Sequence, residues 1–235
     1  MKILLNSNLN KLQKDFYFNG FVSLNIKDNS EKNEFLKDLK LWDKLDLTIN
    51  NKWKSLYKNT YDLIDAEKIK NKNIINFMKS NLFLEKIELI TGRKLVLGDF
   101  TIRKTYGSEN YLKMHRDTYI DKKNKLVGRT PPLIKLIFYP ELKNISTQLT
   151  IIPKSHKLIF NNYFINKFIS IFQKKYNIKN NNNNVIIFQS DIYHEAAKQG
   201  NIDGNFRCIF NFCSPSQLTS FKNGKKIALK FNSKK

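Results

Sequence analysis

The stretch NVIIFQSDIYHEA, Asn184–Ala196, joins an apolar run from Val185 to Phe188 to a polar turn and then to a histidine, His194. β-Branched and aromatic residues favour a pleated strand, and Gln189-Ser190-Asp191 supplies the residues that end one. His194 stands among polar and small neighbours near the end of that strand, a place from which an imidazole looks into a cavity. Four other segments share the texture: KLVLGDFTIRKTY, LIKLIFYPEL, STQLTIIP and NFRCIFNFCSP, all from Lys94 onward. Before Lys94 the pattern is helical. Leu9, Leu12 and Phe16 mark an amphipathic helix that breaks at Asn19-Gly20, ahead of a strand through Phe21, Val22 and Leu24. Ser30 caps a helix with Glu31 and Glu34 in its early turns and Phe35, Leu39 and Trp42 on one face. A further helix is expected from Asp65 to Ile90, ended by Thr91-Gly92. Helices first and short strands after predict an α+β protein with an antiparallel sandwich or barrel core.

One helix, from Leu158 to Tyr176, interrupts the strands, with Ile165, Phe168, Ile169, Phe172 and Tyr176 at helical spacing. The NIKNNNNN after it reads as an exposed polar loop. At 235 residues and 41% hydrophobic, the chain suits a single well-cored domain. No run approaches the roughly 18 apolar residues of a membrane span. The opening MKILLNSNLNKLQKDF turns polar too early for a secretory leader, so a soluble cytoplasmic protein is expected. Cys208 and Cys213, five apart in one strand, point to opposite faces, which disfavours a mutual disulfide and fits a reducing compartment. The net charge of +22 invites a nucleic-acid partner, but only five of the 42 basic residues are arginines. Lysines scattered among asparagines and isoleucines read as compositional bias, so nucleic acid is not the expected partner.

In YLKMHRDTY, Tyr111–Tyr119, His115 stands two residues before Asp117. In extended backbone the two side chains project to the same side. With His194 they make two imidazoles and a carboxylate, a set that suits a non-haem Fe(II) oxygenase and that Zn²⁺ also accepts. Arg207, thirteen residues after His194 in FRCIFNF, shares a face with Ile209, Asn211 and Cys213, opposite Cys208, Phe210 and Phe212. A guanidinium fork there matches a carboxylate such as the far end of 2-oxoglutarate; the competing reading is an edge-strand arginine paired with a surface acid. Arg103, on a face with Thr101 and Thr105, either holds 2-oxoglutarate or lies on a solvated face. Lys135, between apolar neighbours, either reaches into a pocket or snorkels to an edge. Tyr106, Tyr119 and Trp42 are candidates for a substrate cavity or for the core.

These residues resemble the Fe(II)/2-oxoglutarate-dependent dioxygenases, and within them the phytanoyl-CoA dioxygenase-like family. That family's pattern is His-x-Asp, a Pro-Gly-Ser-His, a distal His and then an Arg. Here those elements read MHRDT, IIPKSHK, IYHEA and NFRCIF in the same order, with Lys154 in the place of the Gly, and FYFNGFVSL resembles the family's N-terminal helix-to-strand opening. KTYGSENYLKMHRD is also similar to the prolyl-hydroxylase-like branch. The resemblance implies a double-stranded β-helix (jelly roll, cupin-like) with N-terminal helices packed on one sheet. It divides one domain, residues 1–235, into a mainly helical support (1–93), a jelly-roll core (94–215, with a helical insert at about 158–176) and a basic tail (216–235). It further implies Fe(II) on His115, Asp117 and His194, the cosubstrates 2-oxoglutarate and O₂, and Arg207 as the clamp on the distal carboxylate. Ascorbate would be a stimulant, and His156 takes no metal role. The expected reaction is hydroxylation of a small-molecule or acyl substrate with release of succinate and CO₂. A peptide or protein hydroxylase and a non-catalytic jelly-roll metal-binding module are the alternatives.

Overall fold

The computed structural model describes residues 2–26, 30–44, 60–65, 72–107, 112–141, 148–179, 183–196 and 201–221. Among these, α1 (Lys2–Asn19) ends where Gly20 takes φ +83°, and β1 (Phe21–Asn25) follows at once. The glycine is needed twice over: the backbone is left-handed, and a Cβ would lie 2.5 Å from His156 Nδ1. α2 (Ser30–Lys44) buries Phe35 and Leu39 as expected. The side chains of Trp42 and Tyr106, and residues 222–235 of the basic tail, lie outside the described residues.

The single helix expected over Asp65–Ile90 is not formed. Thr60–Asp65 is a strand, β2, and two helices follow, α3 (Lys72–Ser80) and α4 (Phe83–Thr91). Leu82 adopts a left-handed backbone between them, and the Asn81 amide donates to the Phe77 carbonyl at 3.1 Å, satisfying the end of the first helix. Gly92 closes the second in the left-handed region, its N–H on Glu88 O.

The remaining strands are β3 (Val96–Gly107), β4 (Leu112–His115), β5 (Tyr119–Ile120), β6 (Leu126–Val127), β7 (Ile134–Phe138), β8 (Gln148–Ile151), β9 (Tyr176–Lys179), β10 (Asn184–Gln189), β11 (His194–Ala196) and β12 (Asn201–Cys213). The insert helix α5 spans Tyr163–Phe172, shorter than expected. Tyr176 to Lys179, expected as helix end and polar loop, instead pair with β8. All pairings are antiparallel, in a six-stranded sheet (β1-β10-β7-β12-β3-β2), a four-stranded sheet (β4-β11-β8-β9) and the β5-β6 hairpin.

The large sheet is covered on both faces, and strand parity decides which residue goes where. Val185, Ile187, Leu136, Phe138, Cys208, Phe210 and Phe212 join Phe35 and Phe77 of the helices in one core. Its aromatic rings run in a chain, with Phe35–Phe77, Phe77–Phe138 and Phe138–Phe210 centroids 5.6, 5.0 and 6.0 Å apart. Ile186, Phe188, Ile137 and Ile209 face the other way, against Leu149, Ile151 and Ile178 of the small sheet. The result is a double-stranded β-helix core with helices on one sheet, the architecture the ordered motifs imply. Cys208 and Cys213 are both free and buried in different clusters.

Candidate metal centre

His115 ends β4 and His194 begins β11, and the two are Cα partners in the small sheet. Their rings therefore meet, with centroids 4.3 Å apart. Asp117 follows in the turn after β4, where its N–H donates to Ser190 O at 2.9 Å, while Ser190 N–H donates to Leu133 O at 2.9 Å. Gly128, at φ +115°, lies against this turn so closely that a Cβ would stand 2.6 Å from Asp117 O. One donor atom from each of His115, Asp117 and His194 falls within 4.8 Å of the others, with His115 Nε2 3.7 Å from Asp117 Oδ1.

The local chemistry prepares these donors. With its proton on Nδ1, His194 donates to the Ile192 carbonyl at 3.0 Å, which leaves Nε2 as the lone-pair nitrogen. Burial, seconded by the charge of His115, lowers the His194 pKa to about 3. For Asp117, burial acts to raise the pKa, but Lys135, His194 and His115 outweigh it and bring it to about 2. Lys135 ion-pairs directly with Asp117. This resolves the position of that lysine: it reaches inward from β7 rather than out to an edge.

Arg207 is 2% exposed, the largest fully buried side chain described. Its Cα partner across the ladder is Arg103 of β3, which places two guanidinium-bearing residues on one sheet face. Two positions along that face, beyond Ile209, Asn211 is the partner of both Lys135 and Asp99, and its amide donates to Asp99 Oδ1 at 2.6 Å. Sequence reasoning put Asn211 on the face of Arg207 but drew no role from it, and Asp99 was not singled out.

A second network escaped the sequence altogether. Arg116, the middle residue of His-x-Asp, is buried and stacks over the Tyr193 ring at 3.9 Å, so the residues preceding Asp117 and His194 hold each other. Its guanidinium donates to Ser155 O at 2.6 Å, to Leu158 O at 3.2 Å and to Asn166 Oδ1 of α5 at 3.3 Å. An arginine flanked by two candidate ligands was the available signal. His156 stands apart from the cluster, its Nε2 3.1 Å from Tyr17 O. Lys154, just before His156, has a left-handed backbone at φ +66°, a conformation that favours glycine. Tyr119 is 42% exposed on the hairpin. A groove of about 700 Å³ runs between α1 and β1, lined by Lys11, Asp15, Phe21 and Tyr176 among others, and none of the three candidate ligands lines it.

No protein-family model matches the chain, and no curated protein matches its sequence. Solved structures do match its fold. The non-haem α-ketoglutarate-dependent epimerase SnoN of nogalamycin biosynthesis superposes with a TM-score of 0.72 at 11% identity, over 89% of this chain and 82% of its own. HygX from Streptomyces hygroscopicus, with nickel, 2-oxoglutarate and hygromycin B bound, gives 0.66 at 12% identity over 87% of each chain. The non-haem α-ketoglutarate-dependent carbocyclase SnoK, also of nogalamycin biosynthesis, gives 0.66 at 9% identity over 87% of this chain and 83% of its own.

Proposed function

We propose that this chain is a single-domain, non-haem Fe(II)- and 2-oxoglutarate-dependent oxygenase that hydroxylates a small-molecule or acyl substrate. The observation that carries the reading is the convergence of His115 and His194 from two adjoining strands and Asp117 from the turn after the first, with donor atoms within 4.8 Å of one another. The donor set fits the ion: two imidazole nitrogens and a carboxylate on one side leave the other positions open. When bound, Fe(II), 2-oxoglutarate and O₂ supply the oxidising power that breaks a substrate C–H bond, releasing succinate and CO₂. The nickel, 2-oxoglutarate and hygromycin B bound to HygX support the cosubstrate and a small-molecule substrate.

The chain's own residues hold and orient. His194 presents Nε2 because its Nδ1 is engaged, and Asp117 stays ionised across the physiological range, so neither ligand has a proton to shed at neutral pH. Arg207 grips the distal carboxylate of 2-oxoglutarate with its planar fork, and Arg103 alongside strengthens the anion's hold. Lys135 ion-pairs with Asp117 and so holds that carboxylate in its ionised form, the form that would bind a divalent cation.

Succinate release from 2-oxoglutarate by the Fe(II)-loaded protein in air, without added substrate, is the direct test. Arg207→Ala should weaken anaerobic 2-oxoglutarate binding by about 30-fold to several thousand-fold, the cost of a buried charge-assisted bidentate contact. Arg207→Lys should recover part of it, since an ammonium keeps the charge without the fork. Metal binding with no 2-oxoglutarate affinity would leave only a jelly-roll metalloprotein.

A further inference from the structure

Helix α5 is built inside out. Its buried side chain is Asn166, 4% exposed, whereas Phe164, Phe168, Ile171 and Phe172 are 75, 59, 61 and 68% exposed. Together with Ile165 these residues fill one arc of about 120° on the helix, and Asn166 and Ser170 lie opposite. Satisfied polar groups hold this orientation. The Asn166 amide donates to Phe160 O at 2.6 Å and Asn162 O at 2.8 Å, its Oδ1 accepts from Phe160 N–H at 3.1 Å, and Tyr193 O–H donates to Asn166 O at 2.7 Å. Asn162 caps the helix, accepting from Phe164 N–H at 2.9 Å and Ile165 N–H at 3.1 Å. Rolling the helix to hide its phenylalanines would strand these buried groups.

The surroundings are cationic. Lys167, Lys174 and Lys175 are exposed at the rim, Lys175 lying 3.9 Å from Glu195. Tyr163 N–H donates to Asn124 Oδ1 at 2.9 Å, which sets the turn carrying exposed Lys122, Lys123 and Lys125 against the start of the helix. Between Glu141 and Asp191 the chain has seven lysines and no acidic residue.

We infer that α5 docks the protein on an anionic lipid bilayer, its apolar arc entering the acyl boundary while the lysines meet the headgroups. Among the described residues no helix is long and apolar enough to cross a membrane, so the association is peripheral. Charge selects this occupant. A second copy meeting the arc about a two-fold axis would bring like lysines together. The dispersed, arginine-free cation set fixes no register, and a fluid headgroup surface requires none. Ile165 and Ile171 offer hydrocarbon rather than stacking planes, which separates the arc from a platform for nucleobases.

The test is co-sedimentation with vesicles of phosphatidylcholine containing about 30% phosphatidylserine, at about 0.15 M salt. The protein should pellet with these and not with phosphatidylcholine alone. The triple variant Phe164→Ser, Phe168→Ser, Phe172→Ser should keep its melting temperature and lose at least about tenfold in binding. Phe168→Trp keeps the surface intact, and its emission should shift to the blue on adding vesicles. Protein left in the supernatant, or a triple variant that binds undiminished, would overturn the inference. So would a dimer in sedimentation that the triple variant dissolves, or tighter binding to single-stranded oligonucleotide than to vesicles. Vesicle binding needs neither metal nor 2-oxoglutarate, so its failure leaves the oxygenase reading untouched, and the reverse holds.

Discussion

The two faces of the six-stranded sheet carry opposite chemistry on the same strands. Toward the helices, Leu136, Phe138, Cys208, Phe210 and Phe212 form a dry aromatic and aliphatic layer. On the residues between them, Lys135, Arg207 and Asn211 bring charge and hydrogen-bonding capacity to the other face, beside Ile137 and Ile209. Parity lets one strand serve as both core and site, so stability and chemistry should be separable by mutating alternate residues.

The sharpest division concerns the metal. Asp117→Ala should abolish Mn²⁺ binding in calorimetric titration, because an open three-ligand site cannot lose its only carboxylate. Unchanged Mn²⁺ affinity would remove the site. On the other face, Phe210→Ala should cost about 3–5 kcal/mol in urea unfolding, the combined loss of transfer energy and a new cavity, with Mn²⁺ affinity of the folded protein preserved. A metal site that weakens in step with stability would break the separation.

A smaller effect is expected at Asp191, in the turn between β10 and β11. Burial raises its pKa to about 6 against the opposing pull of Arg116 and Arg93, and its Oδ1 has no hydrogen-bond partner among the described residues. The unfolded chain releases this proton near 3.8 and the folded chain near 6, so stability is lost as pH rises between those values. Asp191→Asn should therefore stabilise the protein by about 1–3 kcal/mol at pH 7–8, with the gain fading below about pH 4. Equal gains at both pH values would deny the charge as the cause. The smallest effect belongs to Lys154→Gly, which relieves the left-handed backbone at φ +66° and should raise stability by about 0.5–1 kcal/mol in thermal unfolding.

The long runs around the candidate ligands were legible because their signals are short-range. The two-residue interval of His115 and Asp117, the parity of FRCIFNF and the break at Gly20 all follow from backbone geometry within a few residues. Asp65–Ile90 misled because apolar spacing cannot register a left-handed Leu82 or a strand at Thr60–Asp65 that is stabilised by pairing with β3. In the insert helix, apolar residues at helical spacing identified the element but not the side that is buried: α5 turns its apolar face to solvent because Asn166, Tyr193 and Arg116 fix the opposite one.

By itself, then, the sequence determined which residues share a face and which side chains are of a type able to ligate a metal or bind a carboxylate, since parity and donor type are written into local covalent structure. Tertiary structure alone decided which faces meet. It set His194 opposite His115, brought Lys135 to Asp117 and Arg103 beside Arg207, and placed β1 and β2 at the two edges of the large sheet. Those pairings join segments far apart in the chain, and their register is chosen by the burial of both faces of the sheet at once, a sum over the whole fold that no local window contains.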